Sequence, residues 1–80
     1  MENRIAVVAI IVTKDESVER VNAILHDFGD YIIGRLGLPY KQKNLNVITI
    51  ILDAPQEIIN SLSGKLGMTD GVASKVMLTK

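Results

Sequence analysis

Two unbroken apolar runs and two stretches of helical periodicity dominate the pattern along this chain. Ile5-Ala6-Val7-Val8-Ala9-Ile10-Ile11-Val12 is apolar throughout. A strand sends successive side chains to opposite faces, so Ile5, Val7, Ala9 and Ile11 share one face and Ala6, Val8, Ile10 and Val12 the other. Both faces are apolar, and both call for a cover. The run is too short to cross a membrane as a helix and is rich in β-branched residues, which predicts a buried strand over about Arg4–Thr13.

The period then changes. Val18, Val21, Leu25 and Phe28 recur at three- and four-residue spacing, with Ile24 widening the stripe, and predict a helix over Glu16–Phe28. Asp15 is placed to cap it, Glu16 and Glu19 put negative charge in its first turn, and Gly29 offers a left-handed stop. Tyr31-Ile32-Ile33 opens a second strand that runs into Gly34-Arg35-Leu36-Gly37-Leu38-Pro39-Tyr40. Glycines and a proline inside a strand pattern predict an edge strand, a bulge or a close approach by another group. After the polar turn Lys41–Asn44, Leu45–Leu52 is a third strand, again apolar on both faces. Asp53 is placed to cap a second helix, with Gln56 three residues on and Pro55 near its first position. Ile58, Ile59, Leu62 and Leu66 form the stripe of that helix and Gly67 its expected stop. Val72–Thr79 alternates as a fourth strand, with Val72, Ser74, Val76 and Leu78 on one face and Lys75 on the other.

The order is β-α-β-β-α-β. Asp15 and Asp53, Val21 and Ile59, Ile24 and Leu62, Phe28 and Leu66, and Gly29 and Gly67 are all 38 positions apart. That echo suggests two βαβ units interleaved in one sheet. The expectation is a single α+β domain over residues 1–80: a ferredoxin-like βαββαβ sandwich, with a four-stranded antiparallel sheet in the order 4-1-3-2. Right-handed crossovers place both helices on one face. The other face is then left bare, and it is too apolar for water. Burying ~700 Å² of it at ~25 cal/mol/Å² is worth roughly 17 kcal/mol before association costs.

Length and composition sharpen this picture. Eighty residues bury only a small core, so oligomerisation is an expected source of stability, as a homo-dimer or tetramer. The absence of cysteine removes disulfides and thiolate metal sites and fits a reducing cytoplasm. Nine basic residues balance nine acidic ones, so no field favours nucleic acid or a membrane surface. No signal peptide is recognised, and a cytoplasmic location is expected.

Candidate chemistry is sparse. His26 is the lone histidine and lies on the polar face of the first helix, so no metal site is expected. Asp15, Glu16, Glu19 and Asp53 are accounted for by helix starts. Ser61, Ser63 and Ser74 have no fitting base, and no Walker or dinucleotide glycine pattern occurs. No catalytic residue, cofactor or enzymatic activity is expected. Two glycine-bearing stretches remain. In the first, Gly34–Tyr40, Arg35 offers a planar fork for a carboxylate or phosphate; the plainer reading is an edge strand kept irregular against misassociation. In the second, Gly64–Val72, Lys65 and backbone N–H groups could meet an anion; the plainer reading is a helix stop and turn.

These stretches carry a family likeness. Gly34-Arg35-Leu36-Gly37-Leu38-Pro39-Tyr40, with Leu62-Ser63-Gly64-Lys65-Leu66-Gly67-Met68 and Gly71-Val72-Ala73-Ser74-Lys75, resembles the small proteins described as regulators of the iron-only hydrogenase system. The resemblance covers nearly the whole chain. It implies an ACT-like, ferredoxin-like fold akin to the C-terminal domain of the nickel-responsive regulator, an oligomer, and a regulatory role. The nickel ligands of that domain, histidines and a cysteine, have no counterparts here. The loop Thr13-Lys14-Asp15-Glu16-Ser17 lacks the glycine usual in amino-acid-binding ACT domains. No DNA-binding helix-turn-helix or ribbon arm precedes Arg4, so direct nucleic-acid binding is not expected.

The functional expectation is a small regulatory module that senses an anionic ligand between subunits, through Gly34, Arg35, Gly37, Tyr40, Lys65, Gly67, Gly71 and Lys75. The alternative is an oligomeric scaffold that contacts a protein partner and binds no metabolite.

Overall fold

The computed structural model describes residues 2–79. Its elements follow the expected order: β1 (Asn3–Val12), α1 (Glu16–Asp27), β2 (Ile32–Tyr40), β3 (Leu45–Pro55), α2 (Gln56–Gly67) and β4 (Val72–Leu78). The strands form one antiparallel sheet in the order β2-β3-β1-β4, which is the anticipated 4-1-3-2 read from the other edge.

The period-two pattern of β1 resolves into one buried and one open face. Ala6, Val8, Ile10 and Val12 are buried under the helices with Ile48, Ile50, Leu52 and Ala54 of β3. Val21, Ile24 and Leu25 of α1 and Ile59, Leu62 and Leu66 of α2 complete that core, with Phe28 at its margin. Both helices therefore lie on the same side of the sheet. The opposite face of β1, with Ile5, Val7, Ala9 and Ile11, is half-buried or exposed.

Three local expectations fail, each for a backbone reason. Asp15 has helical dihedrals (φ −57°, ψ −37°) and makes no side-chain cap bond. A capping oxygen reaches the helix N–H groups from an extended residue, and Asp15 already belongs to a turn begun at Lys14. Asp53 does not cap α2 either. Strand pairing carries β3 three residues beyond Leu52, setting Ile5 against Asp53, Arg4 against Ala54 and Asn3 against Pro55. α2 thus starts directly after Pro55 without a side-chain cap, and Gln56 donates to Asn60 Oδ1 instead. Gly29 is not left-handed, and α1 gives way instead to a 3-10 turn at Gly29–Tyr31; Gly67 ends α2 as expected, as its last helical residue. Among the described residues, the left-handed ones are Asn44, which closes the β2–β3 turn, and Gly71, which enters β4.

Candidate functional site

The sheet order decides which candidate residues can meet. β2 and β4 are opposite edges, so Gly34–Tyr40 and Gly64–Lys75 stand apart within one chain. They can be brought together only by a second chain.

On β2 the expected irregularity is present. The register with β3 slips between Ile32 and Gly34, a bulge that leaves Ile33 exposed. Beyond it the side chains alternate. Gly34, Leu36, Leu38 and Tyr40 lie on the helix-free face, opposite Ile51, Thr49, Val47 and Leu45. Arg35 and Gly37 lie on the helix side, opposite Ile50 and Ile48. Arg35 is engaged within the chain, donating from Nη2 to Asn22 Oδ1 of α1 at 2.6 Å. The sequence pattern put Asn22 on the polar side of α1, but the link to Arg35 depends on how α1 lies across the sheet, which no local spacing encodes.

At the other end, the β1–α1 loop and the α2–β4 turn are tied together. Thr13 donates its backbone N–H and its hydroxyl to the Gly71 carbonyl, at 2.8 and 3.1 Å. The nearly buried Ser17 hydroxyl donates to the Asp70 carbonyl at 2.6 Å. Lys14 Nζ pairs with the Asp70 carboxylate. That hydrogen bond, with the charge of Lys14, holds the Asp70 carboxyl below the usual carboxylate range; the same contact raises the Lys14 ammonium. Gly71 sits at φ +74°, where a Cβ would come within 2.7 Å of Lys14 Cγ. This glycine is required by the turn whether or not a ligand visits it.

Beside this junction an open cleft of about 610 Å³ runs between the start of α1 and the end of α2. Glu16, Ser17, Arg20, Lys65, Met68, Thr69 and Asp70 line it. With Asp70 paired to Lys14, the remaining charges are Arg20 and Lys65 against Glu16. Lys65 Nζ lies 5.6 Å from the centroid of the Phe28 ring, which holds the cation near the cleft. Gly67, the last residue of α2, is not among the lining residues. Arg20 was not singled out from the sequence; its place in the cleft follows from the approach of two helices far apart in the chain.

Lys75 stands elsewhere. It pairs with Ala9 across β4 and β1, on the helix-free face. That face reads in rows across β2, β3, β1 and β4: Gly34, Ile51, Val7 and Met77; then Leu36, Thr49, Ala9 and Lys75; then Leu38, Val47, Ile11 and Ala73. Leu36 is 69% exposed and Met77 71%. Among the described residues no group of His, Cys, Asp and Glu could hold a metal ion. No described helix is long and apolar enough to cross a membrane.

A family model matches residues 4–76; the family is TM1266-like, described as regulators of the iron-only hydrogenase system, a proposed role. TM1266 of Thermotoga maritima, solved as an uncharacterized protein, superposes with a TM-score of 0.94 at 34% identity, covering 99% of this chain and 100% of that one. A formyltetrahydrofolate deformylase from Pseudomonas putida KT2440 matches with a TM-score of 0.66 at 11% identity. This chain covers 28% of that enzyme, so the likeness is one of fold. The de novo designed protein Foldit4 shares the fold as well, with a TM-score of 0.59 at 18% identity over 99% of this chain and 98% of that one. No curated protein matches the chain.

Proposed function

The chain belongs to the TM1266-like family, and from that membership we propose that it is a non-catalytic regulatory module that works as an assembly and answers to a small anionic effector. The observation that carries the reading is the helix-free face. Ile11, Leu36, Leu38, Tyr40, Ile51 and Met77 are exposed together on one side of the sheet. A contiguous apolar surface of this kind is a docking surface, and a second copy of the chain is its commonest occupant. The effector is assigned to the cleft between α1 and α2, where Arg20 and Lys65 outnumber Glu16 once Asp70 is paired. Because that cleft lies on the helix side of the sheet, closing it with the glycine-bearing edge of β2 would take a further neighbouring subunit, other than the copy across the helix-free face.

One observation favours the second reading, an oligomeric scaffold that binds no metabolite. Arg35, the guanidinium the sequence puts forward for an anion, is already engaged by Asn22. A thermal-shift screen of small carboxylates and phosphates separates the two. A ligand at a hundred times its dissociation constant stabilises by ~2.7 kcal/mol, enough to move the melting temperature by several degrees. The effector reading expects such a shift, and expects it to shrink in Arg20→Ala and Lys65→Ala. The scaffold reading stands if no anion moves the transition.

A further inference from the structure

Two charged side chains interrupt the helix-free face among the described strand residues. Asp53 on β3 lies opposite Ile5, and Lys75 on β4 lies opposite Ala9; both are exposed. Neither has an ion-pair partner among the described residues. A charge buried without a counter-charge is expensive, so an apolar partner that covered this face would leave both in difficulty. A second copy of the same face supplies what each lacks, provided that the register is right.

The register can be worked out from the strand pairing. β1 lies between β3 and β4, and Val7 lies midway between Ile5 and Ala9. Val7 is therefore the midpoint of the line from Asp53 to Lys75. Those two residues are two strands and four positions apart, about 16 Å by ordinary strand spacing and rise. A twofold axis lying between two stacked sheets and crossing over Val7, perpendicular to that line, places each Lys75 above Asp53 of the second copy. Followed outward, the same axis passes over Leu36 on β2, opposite Thr49, so Leu36 meets its own copy there. Stacked sheets are about 10 Å apart, a gap that an extended lysine and an aspartate span together. The contact is isologous and forms the pair twice.

We propose that the helix-free face closes on a second copy of this chain about a twofold axis over Val7 and Leu36, and that reciprocal Lys75–Asp53 pairs set its register. Lys75 is thereby an interface residue and not a ligand for the effector. The proposal rests on the reading that this face is where copies meet, and it adds which residues fix how they meet.

Charge reversal tests it. In Lys75→Glu chains each new carboxylate faces Asp53 of the second copy; in Asp53→Lys chains two ammonium groups face each other. Each variant alone should associate about a hundredfold more weakly than the original chain, because like charges are forced together twice per dimer. An equimolar mixture of the two variants restores both pairs in a heterodimer, and should associate to within about threefold of the original affinity. Both side chains are exposed, so folding is preserved, and circular dichroism checks it. Analytical ultracentrifugation of the mixture overturns the register if the variants associate no better together than alone. A Leu36→Asp chain separates the two levels. If it dissociates while the mixture shows no rescue, the face is an interface but the charge pairing is wrong. If it associates like the original chain, the face itself is wrong and both readings fall.

Discussion

At the scale of single residues, the left-handed backbone of Gly71 decides more than its place in a glycine-bearing motif. An added Cβ would meet both a strained φ and the stem of Lys14, with Cγ at 2.7 Å and Cβ at 2.9 Å. Gly71→Ala is therefore expected to cost about 1–3 kcal/mol, measured by urea unfolding, as a rare backbone state and a displaced neighbour add. Gly37→Ala is the contrast. Nothing lies within 4 Å of its Cβ position and its φ is not left-handed, so the same substitution should be neutral or mildly stabilising. Two glycines of the candidate stretches thus part company. What separates them is invisible locally, because Lys14 reaches the Gly71 turn from the far end of the chain. The same holds for Arg35, whose partner Asn22 is thirteen positions away and on another element. Residue types were legible as candidates; their partners were not.

At the scale of elements, periodicity was the reliable signal and caps were not. The apolar runs of β1 and β3 and the stripes of α1 and α2 lie where the sequence places them, because burial is set by the whole pattern and tolerates a shifted end. Asp15 and Asp53 failed as caps because each depends on the dihedrals of one residue, which the neighbouring strand or turn can override. Asp53 shows the override most clearly: antiparallel pairing extends β3 to Pro55 and turns its carboxylate onto the open face. A true cap would lose about 1 kcal/mol on substitution by alanine. Asp53→Ala should instead change the unfolding free energy, measured on dissociated chains at low concentration, by no more than ~0.5 kcal/mol, as for an ordinary surface residue. A cost near the cap value would mean that the helix start is supported by Asp53 after all. Pairing also explains the bulge at Ile32–Gly34, which sequence could suggest from its glycine but could not assign to a register.

At the scale of the whole molecule, the question the sequence left open was which face of β1 meets the helices. Both are apolar by composition, and strand alternation cannot rank them. The helices settle it: Val8 is 1% exposed beneath them, while its neighbour Val7 lies half-buried on the open side. The two adjacent valines should therefore respond differently to the same change. In Val8→Asp a carboxylate enters a packed apolar core without a partner, a change that costs several kcal/mol and, in a domain this small, leaves little folded protein. Val7→Asp leaves the helix-side core untouched, so the isolated chain keeps its far-ultraviolet circular dichroism spectrum. In the assembly proposed above, its effect falls on the contact between copies, where the carboxylate would be desolvated at the centre of the face. Sedimentation should then find a folded monomer at concentrations where the original chain is associated. Equal loss of secondary structure in both variants would mean that the open face belongs to the fold of each chain rather than to the union of two.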